Sequence, residues 1–251
     1  MRVASFDTFF MREETANKIL ESVRTAYDTI ADEFAASRDA LWWPELDEFG
    51  RCVKNGDRVL DIGCGSGRMH KLFAGTAVEY EGLDVSEGII ERARRRRPDL
   101  LAGFRVGSAL ALPYEDGSFD AALMVAVLHH VPSERYRLQA LREASRVLKP
   151  GGRLLMTNWN LWRAARRKWI FRSWLLKLIG RSDLDWNDAW FDWKKNGQPA
   201  ARRYYHAFAL GELGRLCRAA GLKVEKNVRV DNPRHGRDAN ILTICRKPAN
   251  E

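Results

Sequence analysis

Cysteine is scarce in this 251-residue chain, and the four that occur do not cluster. Cys52, Cys64, Cys217 and Cys245 lie apart with no C-x-x-C spacing, which argues against a zinc site or a disulfide framework and for a reducing, cytoplasmic setting. No run of eighteen apolar residues is present, so nothing is expected to span a membrane. The first twenty residues carry Asp7, Glu13 and Glu14 and no long apolar stretch, and so do not read as a secretory signal. Acidic side chains are thin in one region. Residues 151–230 hold seventeen Lys/Arg against six Asp/Glu, in a chain whose net charge is +9. The basicity therefore belongs to the second half, together with whatever polyanion it faces. What is plentiful is apolar: a hydrophobic share of 45% suffices for a core, and the length suits one large α/β domain with an insertion.

The chain is organised around Arg58 to Gly67, RVLDIGCGSG. Val59, Leu60 and Ile62 read as a buried strand, and Gly63, Gly65 and Gly67 then alternate in a way that no amphipathic element requires. Such a glycine turn lets the backbone approach a ligand and presents free N–H groups at its mouth. The spacing is G-x-G-x-G, and Asp61 stands just before it, where a carboxylate would repel a pyrophosphate and attract a sulfonium or ammonium. Asp84, at the end of a second apolar run, matches the acid that binds ribose hydroxyls after the second strand of a mononucleotide unit. This set resembles the cofactor motifs of class I S-adenosylmethionine-dependent methyltransferases. The resemblance implies a Rossmann-like α/β fold, with a seven-stranded, mostly parallel sheet and helices on both faces. It also implies S-adenosylmethionine as cofactor, held by Asp61, Gly63, Gly65, Gly67, Asp84, Ser108, Ala109 and Val125. Ser108 stands where the class usually has an acid for the adenine amino group.

In chain order, residues 1–52 read as a helical cap, with helices over Glu14–Ser22, Tyr27–Ala36 and Glu45–Cys52, and Trp42 and Trp43 as core packing. Residues 53–158 form the cofactor-binding core. Strands are expected at Val59–Ile62, Glu79–Asp84, Phe104–Gly107, Ala121–Leu128 and Arg153–Asn158, with helices over Arg68–Ala74, Glu87–Arg96 and Ser133–Leu148. His129-His130 ends the fourth strand, at the carboxyl end where ligands lie in doubly wound folds. Residues 159–201 interrupt the series with seven of the nine tryptophans and a basic run. Bases interleaved with aromatics suit a nucleic acid strand, an anionic membrane surface, or a lid packed on the sheet. Residues 202–251 read as a helix, Leu210–Ala220, and an edge hairpin, Val224–Val230 with Asn240–Cys245, completing the core.

A narrower resemblance rests on stretches that the generic fold does not need: Tyr27-Asp28-Thr29-Ile30-Ala31, Phe34, Ser37-Arg38, Trp43-Pro44, Val125 to His130, Trp159, and Arg203-Tyr204-Tyr205-His206 with Phe208 and Gly211-Glu212-Leu213. These are similar to the tRNA wobble-uridine methyltransferases that esterify 5-carboxymethyluridine, whose eukaryotic members work with a small zinc-binding activator subunit. The resemblance implies methyl transfer to a carboxylate, with Arg38 or His130 orienting it and Tyr205 and His206 walling the uridine. Arg163, Arg166, Arg167, Arg202 and Arg203 would then bind the phosphates of the anticodon stem-loop. The generic motifs also suit a methyltransferase acting on quinones, lipids or secondary metabolites, and the basic half suits a non-catalytic RNA- or membrane-binding module.

Overall fold

The computed structural model describes residues 11–38, 44–195, 197–232 and 235–249. Three helices, α1 (Glu13–Thr29), α2 (Ala31–Arg38) and α3 (Pro44–Gly50), precede the first strand. There follow β1 (Arg58–Ile62), β2 (Glu79–Asp84), α4 (Glu87–Arg96), β3 (Phe104–Val106), β4 (Phe119–Val125), α5 (Glu134–Val147) and β5 (Leu148–Trp159). After them come α6 (Ala164–Leu178), β6 (Asp188–Lys195), β7 (Gln198–His206), α7 (Leu210–Ala219), β8 (Lys223–Asn232) and β9 (Gly236–Arg246). Seven strands form one sheet in the order β3-β2-β1-β4-β5-β9-β8, and β6 and β7 pair as a separate hairpin. The first five strands are mutually parallel, β9 runs antiparallel to β5, and β8 antiparallel to β9.

Burial explains the centre of this order. Val59, Leu60 and Ile62 of β1 and Ala122, Leu123 and Met124 of β4 are fully buried, as near-continuous apolar strands covered on both faces must be. The strand order reverses between β1 and β4, and the crevice beyond their carboxyl ends is where ligands bind in such sheets.

Several elements depart from the sequence-based expectations. The first helix runs unbroken through Tyr27 to Thr29, where the Thr29 hydroxyl donates back to the Thr25 carbonyl (2.8 Å), a contact that bends helices. The expected helix after the glycine loop is a short 3₁₀ turn, Arg68–Phe73, entered from a left-handed Gly67 with no side-chain cap. β4 ends at Val125 rather than Leu128. Ala126 adopts a left-handed conformation (φ 60°), held by its N–H to the Thr157 carbonyl (2.8 Å), and a single 3₁₀ turn, Leu128–His130, follows. The boundary drawn at 201/202 falls inside β7, so the tryptophan-rich stretch and the Arg-Arg-Tyr-Tyr-His run form one helix-plus-hairpin unit between β5 and α7. Trp42, Trp43 and the side chain of Arg38 lie outside the described residues.

The amino-terminal helices are fastened to the core by polar contacts. Ser86 caps α4 by accepting from the Ile89 N–H (3.1 Å) and donates its own hydroxyl to Asp28 of α1 (2.5 Å). Asp28 accepts a further bond from the Gly88 N–H (3.1 Å). Ser86→Ala removes the cap and one of these contacts together, so unfolding free energy should fall by about 1–2 kcal/mol. The readout is a lower urea midpoint at unchanged slope.

Candidate active site

One cavity at the carboxyl ends of β1 and β4 gathers most of the expected site residues: Asp61, Gly63, Gly65, Asp84, Ser108, Ala109, Val125, His130 and Tyr205 all line it. At one end the glycine loop supplies the floor. Gly63, Gly65 and Gly67 take left-handed angles of 72°, 55° and 73°. A Cβ at Gly63 would clash with the Val127 side chain, and one at Gly67 would meet the Phe104 ring at 2.5 Å, so the loop's path requires glycine at both places. Gly67 itself enters the 3₁₀ turn and does not line the cavity.

Asp61 is fully buried. Its Oδ2 accepts from the Tyr80 hydroxyl (2.5 Å), and its Oδ1 has no hydrogen-bond partner among the described residues. Burial pushes the carboxyl up to about 7, helped by Asp84 and opposed by Tyr80 and Arg68. An orphaned, desolvated carboxylate oxygen on the wall of a cavity calls for a cationic group. The sulfonium or ammonium of S-adenosylmethionine fits that demand. Asp84 accepts from the N–H groups of Gly65 and Ser86 (both 3.1 Å), which hold its carboxylate beside the loop. Ser108 spends its Oγ as acceptor for the Leu110 N–H (3.1 Å), leaving only its O–H to offer a ligand.

The other end is aromatic and carries one cation. Tyr205 stacks on His129 (5.2 Å, 8° between planes) and on Trp159 (5.1 Å, 28°). Arg203 lines the same space, is only 5% exposed, and lies 5.3 Å from the centre of the Tyr205 ring and 4.8 Å from that of Trp193. No carboxylate among the described residues pairs with it. Burial alone would lower its affinity for the proton, and the neighbouring Tyr205 and Tyr27 hydroxyls more than offset that. Arg203 is therefore a buried guanidinium inside the cavity, not the surface phosphate contact expected from the Arg-Arg run.

His130 is a clasp. Its Nδ1 lies 2.8 Å from the Tyr204 carbonyl, which can only accept, so Nδ1 carries the proton. In the neutral ring Nε2 is then the acceptor, and the Tyr27 hydroxyl donates to it (2.8 Å). Tyr27 is also within hydrogen-bonding reach of Arg203. Tyr27 was not among the residues expected to act here, although it belongs to one of the stretches that carried the narrower resemblance. Phe34, His129 and Trp159 likewise prove to line the cavity.

His206 is not in the cavity, contrary to its expected place against the uridine. It is buried between Asp188 (Nδ1 to Oδ1, 2.7 Å) and Glu212 (Nε2 to Oε1, 2.8 Å), and it joins the β6–β7 hairpin to α7. Burial and the nearby Arg137 oppose the imidazolium, but the two carboxylates outweigh them, so its pKa is raised. Of the remaining arginines, Arg163 donates to the His235 carbonyl (2.6 Å), and Arg166 is half-buried over Trp159 (4.7 Å) and Phe191 (5.6 Å). Arg167 and Arg202 are exposed, the latter 5.0 Å from the Trp190 ring centre. Among the described residues no group of three or more His, Cys, Asp or Glu is placed to hold a metal ion.

Two outcomes follow from these charges. Affinity for S-adenosylmethionine, measured by calorimetry, should fall roughly tenfold per pH unit below about 7 as Asp61 takes up a proton, and Asp61→Asn should flatten that profile. The raised pKa of His206 contributes stability that is fully present below its unfolded value of about 6.5 and is lost as pH rises through the folded value. The urea midpoint should therefore decline on the alkaline side, and His206→Gln should remove that slope.

Comparison with known proteins agrees with this geometry. The family model described as "Methyltransferase domain" matches residues 60–156. The tRNA (carboxymethyluridine(34)-5-O)-methyltransferase of Schizosaccharomyces pombe is 31% identical over 213 residues, covering 80% of this chain and 88% of that protein. The demethylmenaquinone methyltransferase of Paenarthrobacter aurescens is 32% identical over 174 residues, covering 65% and 67%. Among solved structures, the methyltransferase in complex with the Haloferax volcanii Trm112 methyltransferase activator superposes with a TM-score of 0.66 at 20% identity, covering 92% of this chain and 99% of that one. A glycine loop that needs its glycines, a buried acid awaiting a cation, the seven-stranded sheet and these relatives agree, and the chain belongs to the class I S-adenosylmethionine-dependent methyltransferases.

Proposed function

We propose that this enzyme methyl-esterifies a carboxymethyl-type modified uridine at the wobble position of tRNA. The observation that carries the reading is Arg203: a buried guanidinium with no acidic partner among the described residues, beside a stacked aromatic wall, in the cavity that holds the glycine loop. An unpaired buried cation is costly, and an anionic ligand offsets that cost. Trp159, half-buried and backed by the fully buried Tyr205 and His129, offers a ring face to a planar base, which supports a planar acceptor that carries a carboxylate.

When bound, S-adenosylmethionine supplies an electrophilic methyl group on a sulfonium sulfur. The acceptor carboxylate, with a pKa of about 4, is already ionised at neutral pH, so no residue has to remove a proton. Arg203 would orient the carboxylate, and the aromatic wall would hold the base and exclude water. His130 is committed to Tyr204 and Tyr27, which suits a positioning role and not that of a base. The side chain of Arg38 lies outside the described residues, and its assigned role stays a proposal on the resemblance alone. Exposed Arg167 and Arg202 are the members of the basic set best placed to meet anticodon phosphates. The likeness to the activator-bound archaeal methyltransferase supports a small activator as partner.

The test is incubation with labelled S-adenosylmethionine and bulk tRNA, with and without an activator subunit, followed by nucleoside mass spectrometry. A base-labile methyl ester on a wobble uridine is the expected product, and affinity for tRNA should weaken steeply with salt. Cofactor binding without transfer to RNA in either arm would overturn the reading in favour of a small acceptor such as a quinone. Arg203→Ala should lower kcat/KM for tRNA by about 100-fold while leaving cofactor affinity unchanged.

A further inference from the structure

The proposed reaction leaves one surface unexplained. Helix α6 turns Ile170 into a small cluster with Leu161, Tyr205 and Ala207, and Trp174 and Arg166 lie on the same side. Its other side is open. Phe171 is 49% exposed, Leu175 60%, Leu178 72%, and Ile179, just past the helix end, 55%. At helical spacing these four share an arc with Lys168 and Arg172, both exposed. No Asp or Glu occurs anywhere from Trp159 to Ser182. Trp169, 39% exposed, sits at the margin of the arc with Lys168 (5.7 Å) and Arg172 (5.9 Å) near its ring.

The pairing of chemistries selects the partner. A nucleic acid backbone would take the cations but would leave a phenylalanine, two leucines and an isoleucine in water. The headgroup and acyl boundary of a bilayer accepts both: aliphatic and aromatic side chains enter it, while Lys and Arg at the margins meet anionic headgroups. No helix among the described residues is long and apolar enough to cross a membrane, so contact of this kind lies along the surface. We propose that the outer face of α6 docks this enzyme on anionic lipid bilayers, Phe171, Leu175, Leu178 and Ile179 entering the interface and Lys168 and Arg172 pairing with headgroups.

The full chain is tested by flotation with vesicles of phosphatidylcholine alone and of phosphatidylcholine with an equal amount of phosphatidylglycerol. Binding to the mixed vesicles and not to the neutral ones is expected. Leu175→Glu with Leu178→Glu should lower vesicle affinity by about tenfold or more, and Lys168→Glu with Arg172→Glu should do likewise in low salt. Both pairs are solvent-exposed, and unchanged thermal melting would confirm that the fold is intact. Absence of binding to anionic vesicles, or binding that the Leu175/Leu178 pair leaves untouched, overturns the proposal. So does either rival result without an effect on vesicles: loss of tRNA retention, which would make the face an RNA contact, or conversion of a self-associated species to monomer in sedimentation, which would make it an interface between copies.

Discussion

Three segments far apart in sequence meet on the imidazole of His130, and the aromatic half of the cavity depends on that meeting. Through Nδ1–H the ring holds the backbone of β7 at Tyr204, and through Nε2 it receives the hydroxyl of Tyr27 from α1. His130 can stand there only because Ala126 breaks β4 early with a left-handed turn. The small backbone strain at Ala126 thus positions the aromatic wall.

The cavity is electrostatically polarised. Asp61 and Asp84 outnumber Arg68 at the glycine-loop end, and Arg203 stands at the other among uncharged rings. Asp61 and Arg203 are buried and Asp84 is half-buried, so water screens little of the field along the cavity. A cationic methyl donor and an anionic acceptor would each find the opposite sign at its own end, and their encounter would be set by shape in the middle. Behind the wall, His206 between Asp188 and Glu212 fixes the hairpin that carries Arg203 and Tyr205, which is how a buried ion cluster outside the site bears on it.

The glycine-loop half of the cavity was legible in the sequence because its residues are contiguous: Asp61 and the glycines lie within seven residues, and Asp84 follows one strand later. The sheet was legible for a similar reason, since apolar runs and helical stretches alternate. The aromatic half was not. Arg202 and Arg203 read alike as surface charge, yet the strand's alternation sends Arg202 outward and Arg203 into the cavity. Nothing next to His206 announces Asp188 or Glu212, so a histidine in an aromatic run looked like a binding residue when it is a buried tie. Ala126 carries no signal at all, because left-handed backbone is ordinarily marked by glycine or asparagine. Tyr27 could have been found by asking why a helix of the cap should place a tyrosine among its inward positions.

The helix-plus-hairpin unit between β5 and α7 supplies Arg203 and Tyr205, whereas Asp61, the glycines and Asp84 come from the sheet itself. The aromatic end is thus shared between this unit and the framework, which itself supplies Tyr27, His129, His130 and Trp159. Remodelling the stretch from α6 to β7 would replace Arg203 and Tyr205 and leave the glycine loop in place, with Trp159 and the two histidines as the fixed part of the wall. Sequence drift should accordingly be uneven along the chain: slow around the glycine loop, whose path needs its glycines, and faster in the unit between β5 and α7.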